Sequence, residues 1–466
     1  MTTNSPPTTK PLFGRNALIF LADVILFFTL LKTLPFDDSA NRGLALLGFI
    51  AVLWLTEALH VTVTALLVPI MAVLLGLVST KSALVAFANP IIFLFFGGFA
   101  LATALHIQKL DRVIANKIMA LAGGRFLIAA LYLFGITAFL SMWMSNTATA
   151  AMMLPLAMGI LSQMDRQEYH STYLFVLLGI AYSASIGGMG TIVGSPPNAI
   201  VASQLNLTFS EWLSFGLPMV IILLPIMIGT LWIVFKPKLN FTFAKDFEHI
   251  EMNRDRLITL AIFVVIALSW IFSKQINPIL SSWLGIDGKI AKFDSIIALV
   301  AVVVVCMTKV VSWKDIQNST DWGVLLLFGG GITLSSVLKD SGASKILADS
   351  IVFLIEGQHF YLVGLLVAAF IIFLTEFTSN TASAALLVPI FISIAQALGL
   401  PALGLALIVG LGASCAFMLP VATPPNAIVF GTGEIAQRDM LRVGFILNII
   451  CVFVIGTAAY FFWFNA

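Results

Sequence analysis

Ser145-Asn146-Thr147-Ala148 and Ser379-Asn380-Thr381-Ala382 are one tetrapeptide written twice, at an offset of 234, each copy inside an apolar run long enough to enter a membrane. Each is followed by a proline nine positions after its asparagine, Pro155 and Pro389. Downstream, Gly194-Ser195-Pro196-Pro197-Asn198-Ala199-Ile200-Val201 returns as Ala422-Thr423-Pro424-Pro425-Asn426-Ala427-Ile428-Val429, an offset of 228. Upstream, Phe96-Gly97-Gly98 returns as Phe328-Gly329-Gly330, an offset of 232. Three motifs in one order at nearly constant offset make an internal duplication. Duplicated halves with polar, Gly- and Pro-interrupted membrane segments at matching places point to a secondary transporter with its site at the repeat interface.

Composition sets the class independently. The chain of 466 residues is 60% hydrophobic and 10% charged, against roughly 25% charged for a soluble domain. Apolar stretches of crossing length, about 18 residues or more, recur near 16–33, 43–59, 61–78, 88–105, 172–206, 213–235, 257–273, 294–308, 322–338, 402–433 and 442–464. They predict an all-α polytopic membrane protein with about eleven transmembrane helices. Two further stretches, 126–163 and 361–398, carry Ser-Asn-Thr in the middle, with arms too short to cross comfortably. Each is expected to be a re-entrant hairpin, its non-helical tip buried in protein or facing water.

The first apolar segment follows Lys10 and Arg15 without a small-x-small cleavage signal, so it is expected to be a retained helix. A cytoplasmic N-terminus places 16 of the 24 lysines and arginines inside, which follows the positive-inside tendency; the inverted orientation breaks it. The hairpins then enter from opposite faces, as an inverted repeat requires, and the C-terminus lies outside. The first repeat is expected over 16–235, with hairpin 126–163 and broken helix 172–206. A cytoplasmic linker spans 236–256. The second repeat covers 257–466, with hairpin 361–398 and broken helix 402–433.

Other chemistries find little support. No basic cluster of the nucleic-acid-binding kind is present. Cys306, Cys415 and Cys451 sit in apolar surroundings and read as buried thiols. The five histidines, His60, His106, His170, His249 and His359, are far apart and near segment ends, with no HExxH or CxxC spacing. No Ser-His, Cys-His or metal constellation marks an intramembrane enzyme, so a non-enzymatic protein is expected. A channel predicts a continuous pore lined by repeated rings, in which opposed hairpins have no evident use.

The duplicated motifs suit ion-coupled transport. Ser, Asn and Thr with carbonyls freed by a helix break supply neutral oxygens for a hard cation such as Na⁺, and half-helix N-termini offer N–H groups and positive dipole ends to a carboxylate. The stretch from Ser185 to Pro197 holds Gly187, Gly188, Gly190 and Gly194; Gly412 to Pro425 holds Pro420, Pro424 and Pro425; neither continues as helix. Segments 126–164, 171–210, 361–399 and 401–433 contain no Lys, no Arg and one acid, Glu376. An uncompensated charge near mid-membrane costs at least about 2.5 kcal/mol, so an anionic substrate there needs cations from solution. That favours Na⁺ coupling with two duplicated sites over a proton mechanism, which has Glu376 alone to enlist.

These motifs, with Trp54-Leu55-Thr56-Glu57-Ala58-Leu59-His60-Val61-Thr62 and the run Asp321-Trp322-Gly323-Val324 through Gly331, resemble the divalent anion/sodium symporters, and most closely the bacterial INDY-type dicarboxylate transporters. The resemblance covers almost the whole chain. It implies a homodimer in lipid, each protomer with a scaffold domain and a transport domain that moves as an elevator. It implies a first sodium site at Ser141, Ser145, Asn146 and the Gly194 carbonyl, and a second at Thr375, Thr378, Asn380 and the Ala422 carbonyl, with Thr378 serving mainly through its own carbonyl. The substrate's carboxylates fall near Ser145, Asn146 and Thr147 on one side and Ser379, Asn380, Thr381 and Thr423 on the other, with Pro424 shaping the pocket. The expected function is sodium-coupled import of C4 dicarboxylates such as succinate, malate and fumarate. The second reading is a dicarboxylate exchanger, or a sodium symporter for citrate or sulfate.

For the remaining residues packing is the expectation. The Gly-Gly pairs read as close helix contacts. Trp54, Trp143 and Trp322 read as packing or interface residues, Asp23 and Glu57 as interfacial or packed groups, and Glu376 as a group behind the second site rather than a ligand.

Overall fold

The computed structural model describes residues 14–243, 250–355 and 359–464. Lys10, Lys245, His249 and part of the expected linker lie outside them. Among the described residues the chain forms 22 α-helices, three short irregular turns of helix and one isolated antiparallel bridge, Arg125 with Thr242. The chain begins with α1 (Arg15–Thr33) and α2 (Asp38–Thr56). Then come α3 (Val61–Leu74), α4 (Thr80–Val85), α5 (Pro90–Ile107), α6 (Leu110–Leu121), α7 (Phe126–Ser141), α8 (Asn146–Leu161), α9 (His170–Gly188), α10 (Pro196–Leu205) and α11 (Phe209–Phe235). Next are α12 (Arg254–Ile271) and α13 (Ser273–Trp283). The order of α3 to α11 is then repeated as α14 (Phe293–Met307), α15 (Trp313–Ser319), α16 (Trp322–Asp340), α17 (Ala343–Ile355), α18 (Phe360–Leu374), α19 (Asn380–Ala397), α20 (Ala402–Gly412), α21 (Pro424–Phe430) and α22 (Gln437–Ala458).

Every apolar stretch expected to cross is occupied by a helix or a broken pair. Among the described residues eight helices are long and apolar enough to span, and α12 with α13, which meet at 97°, make a ninth when counted as one bent span. α3 and α14 have 14 and 15 residues, less than a full crossing. Of the hairpin arms, α7, α8 and α18 have 16, 16 and 15 residues, while α19, with 18, just reaches crossing length. Hydropathy passed over α6, α13, α15 and α17, because each carries charged residues, such as Asp111 and Lys117 in α6 and Lys345 and Asp349 in α17.

The two halves interlock. α5 packs on α14 and α16 on α3, and both crossings are made close by glycine. A Cβ on Gly97 would meet Ala298 Cβ at 2.5 Å, and one on Gly330 would meet Ala65 Cβ at 2.7 Å. By contact, Gly97 therefore matches Gly330, one position beyond the pairing of the motifs, and Ala65 matches Ala298. A second group gathers the helices on either side of both Ser-Asn-Thr breaks: α7 and α8 pack on α9, α18 and α19 on α20, and the short helices cross over, α10 against α19 and α21 against α8. α9 is its core, every residue from Thr172 to Gly188 being buried. Cys415 and Cys451 are buried, Cys306 is half-buried, and all three are free.

Candidate functional site

In both Ser-Asn-Thr segments the chain breaks where a serine caps a new helix instead of continuing the old one. Ser145 Oγ accepts the Ala148 N–H at 3.2 Å, and Ser379 Oγ accepts the Ala382 N–H at 3.4 Å. α10 and α21 restart on Pro196 and Pro424, whose fixed φ suits a first helical position. At the end of α9 position 188 must be glycine, because a Cβ there would stand 2.4 Å from Asn146 Oδ1.

The N-termini of α8, α10, α19 and α21 open on one cavity of about 890 Å³. It is lined by Ser145, Asn146, Thr147 and Gly194 from the first half, and by Thr378, Ser379, Asn380, Thr381, Ala422, Thr423 and Pro424 from the second. Ser141 and Thr375 do not line it. They lie fully buried behind the asparagines, where Ser141 Oγ is 2.6 Å from Asn146 Oδ1 and Thr375 Oγ1 is 2.6 Å from Asn380 Oδ1. The same hydroxyls lie 2.7 Å from the Ala184 carbonyl and 3.1 Å from the Ala413 carbonyl. Each has one proton, so it serves one acceptor at a time. Thr378 Oγ1 is engaged with Ser383 Oγ at 2.6 Å.

The Pro-Pro-Asn asparagines, to which no role was assigned from the sequence, hold the breaks. Asn198 Nδ2 donates to the carbonyls of Gly188 at 2.8 Å and Thr191 at 2.7 Å. Asn426 Nδ2 donates to those of Ala416 and Leu419, both at 3.0 Å. Oδ1 of both asparagines lacks a partner, as do the hydroxyls of Ser185 and Ser414, and all four residues are at most 2% exposed. Buried oxygens ordinarily have partners. Duplicated orphans beside neutral carbonyls are a donor set that fits a hard cation or the water it carries. Duplication was the available signal, since both asparagines sit at the same place in the repeated Pro-Pro-Asn-Ala-Ile-Val motif.

No lysine or arginine is among the residues lining the cavity. Exposed Glu57, His106 and Asp321 line it at the end of α2, the end of α5 and the start of α16, and α5 supplies a wall through Phe95, Phe99 and Thr103. Glu57 and His106 thus border the cavity rather than a lipid interface alone. His106 Nδ1 lies 3.0 Å from buried Asp111 Oδ2. Glu376 is fully buried, and its carboxylate accepts the N–H groups of Phe417 at 2.7 Å, Met418 at 2.9 Å and Leu419 at 3.1 Å, and Asn448 Nδ2 at 2.7 Å. Asp23, also buried, belongs to α1, away from the cavity.

The family described as the sodium:sulfate symporter transmembrane region matches residues 11–465. An uncharacterized transporter of Haemophilus influenzae is 74% identical over 449 residues, covering 96% of this chain and 97% of that protein. A sodium-dependent dicarboxylate transporter of Staphylococcus aureus is 34% identical over 487 residues, covering 96% and 91%. The crystal structure of the YdaH transporter of Alcanivorax borkumensis shares the fold, with a TM-score of 0.54 at 13% identity over 82% of this chain and 87% of that one.

Proposed function

This chain belongs to the sodium:sulfate symporter family, a sodium-coupled multi-pass transporter, and on that premise we propose that it imports C4 dicarboxylates such as succinate, malate and fumarate. One observation carries the reading. A cavity into which four helices point their N-termini, with no Lys or Arg among its lining residues, receives a dianion only if cations arrive with it. The relative named as a sodium-dependent dicarboxylate transporter supports the substrate class.

In this reading Ser141, Ser145, Asn146 and the Gly194 carbonyl hold one Na⁺, and Thr375, Thr378, Asn380 and the Ala422 carbonyl the other. Ser141 and Thr375 act from behind, through the asparagine oxygens they touch. The substrate's carboxylates lie between, one on Ser145, Asn146 and Thr147, the other on Ser379, Asn380, Thr381 and Thr423, beside Pro424. The halves 16–235 and 257–466 are inverted repeats. The hairpins, broken helices, α11 and α22 form a transport domain that moves against a scaffold of the remaining helices in a homodimer. With the N-terminus cytoplasmic and the C-terminus periplasmic in a bacterial inner membrane, the side of the cavity lined by Glu57, His106 and Asp321 faces the cytoplasm, so this conformation is open inward.

The test is uptake of labelled succinate into proteoliposomes under an inward Na⁺ gradient, beside matched K⁺ and proton gradients. Uptake driven by Na⁺ and blocked by malate and fumarate is expected. Uptake that ignores Na⁺ and needs internal dicarboxylate means an exchanger instead. The family's description favours sulfate as a second substrate reading, and competition by sulfate but not by malate or fumarate would select it.

A further inference from the structure

The two halves tie hairpin to broken helix in opposite ways. In the first half a side chain of the broken helix does it: Thr191 Oγ1 donates to the Met142 carbonyl in the hairpin break and accepts the Gly194 N–H at 3.2 Å. In the second half, Glu376 stands at the place of Met142, by the hairpin offset of 234, and Leu419 at the place of Thr191, by the broken-helix offset of 228. The polar side chain has moved to the hairpin, and the broken helix now contributes backbone. Glu376 Oε1 takes the N–H groups of Phe417 and Met418, and Oε2 takes that of Leu419. Asn448 Nδ2 completes the set, where the matching residue of α11 is Val220.

The exchange leaves the two halves alike in shape and different in charge. Three backbone amides and one side-chain amide hold a fully buried carboxylate immediately after Thr375 and on the wall of the cavity. Met142 and Val220 give the first half no such group. Opposite charges in a medium of low dielectric attract over several ångströms without contact, and Glu376 directly follows Thr375 where the first half has Met142 after Ser141.

We propose that Glu376 is a positioning residue that makes the two cation sites unequal. It shapes the loop from Ala413 to Thr423 by gathering its amides, and its charge strengthens Na⁺ binding at the second site, which therefore fills first. The carboxylate does not ligate the ion; it acts through the loop and the field. The proposal rests on the assignment of the second sodium site to Thr375, Thr378, Asn380 and Ala422.

Two variants separate shape from charge. Glu376→Gln loses the charge and keeps one acceptor oxygen, enough for the three N–H groups on Oε1 but not for that of Leu419. Glu376→Met with Leu419→Thr installs the first half's tie in the second half, restoring a hydrogen-bonded link without charge. In proteoliposomes, both variants are expected to raise the half-saturating Na⁺ concentration at least about tenfold, while succinate half-saturation at saturating Na⁺ stays within about twofold of wild type. Direct Na⁺ binding, followed as Na⁺-dependent thermal stabilisation in detergent, is expected to shift by the same factor, and it reads the double variant even where the glutamine variant inserts poorly. Wild-type Na⁺ dependence in either variant overturns the proposal. So does equal loss of Na⁺ and succinate affinity in both, which marks a purely structural group. Uptake by the wild-type protein that ignores Na⁺ sinks the sodium-coupled reading itself, a result distinct from either.

Discussion

Trp143 and Phe377 hold the same position in the two hairpin breaks, related by the offset of 234, yet one is packed and the other bare. Trp143 is 8% exposed, its ring 5.9 Å from that of Phe209 in a stack and 5.2 Å from that of Phe263 edge-on. Phe377 is 73% exposed and borders the cavity. In the elevator reading proposed above, movement of the transport domain changes what covers Phe377. Phe377→Cys is therefore expected to react rapidly with a thiol reagent applied from the cavity side. Wild type, whose native cysteines are buried or half-buried, should react slowly. Na⁺ with succinate should slow the reaction of the variant; a rate indifferent to both would place Phe377 outside the moving element.

Asn146 and Asn380 join the buried hydroxyl behind them to the cavity in front. Asn146→Ala or Asn380→Ala removes an oxygen from a proposed sodium site and leaves Ser141 or Thr375 with a single partner. The hydroxyl still has its carbonyl acceptor, but the cation loses an oxygen, a contact to charge worth about 1.5–3 kcal/mol, so affinity should fall by roughly 10- to 150-fold. Na⁺-driven uptake, measured beside a gel-filtration profile that reports folding, checks it. Full uptake by both variants would remove the site assignment.

The interlock of the halves is steric and can be tested apart from transport. Gly97→Ala and Gly330→Ala each drive a methyl group into Ala298 or Ala65, where overpacking costs about 1–3 kcal/mol. Gly159, where an added Cβ would meet nothing within 4 Å, is the control: Gly159→Ala should be neutral or gain up to about 1 kcal/mol of helix stability. Thermal unfolding in detergent should rank the three accordingly, and an unshifted midpoint for Gly97→Ala would mean that the α5 and α14 contact relaxes freely.

Asn198→Ala and Asn426→Ala each take away the one side chain that bridges two carbonyls of a helix break. Leaving a buried acceptor unpaired costs about 1–3 kcal/mol, so both variants should lose thermal stability and widen the range of loop geometries. Uptake should fall with succinate half-saturation raised, while Asn→Asp, which removes the donors but keeps the size, should behave like the alanine variants. Rescue by Asp would show that shape, not the Nδ2 donors, holds the break.

Much of the architecture was written locally. A serine cap, a Pro at a first helical turn and a Gly where backbone meets side chain act within a few residues, so the helix starts after Ser145 and Ser379 and at Pro196 and Pro424 could be placed from those residues alone. Duplication then paired the halves, and the cavity does gather Asn146, Thr147, Asn380, Thr381 and Thr423. Sequence by itself also showed that no lysine or arginine lies in the four central segments.

Tertiary structure decided which side chains meet across long separations. Ser141 and Thr375 stand behind the asparagines instead of on the cavity surface, Glu376 takes the amides of residues 41 to 43 positions away, and Gly97 seats on Ala298. Only folding shows that Trp143 is covered while Phe377 is bare. The reason is physical: a helix break is set by local backbone chemistry, but a partner is set by which surfaces close packing brings together, and that depends on the whole arrangement of helices at once.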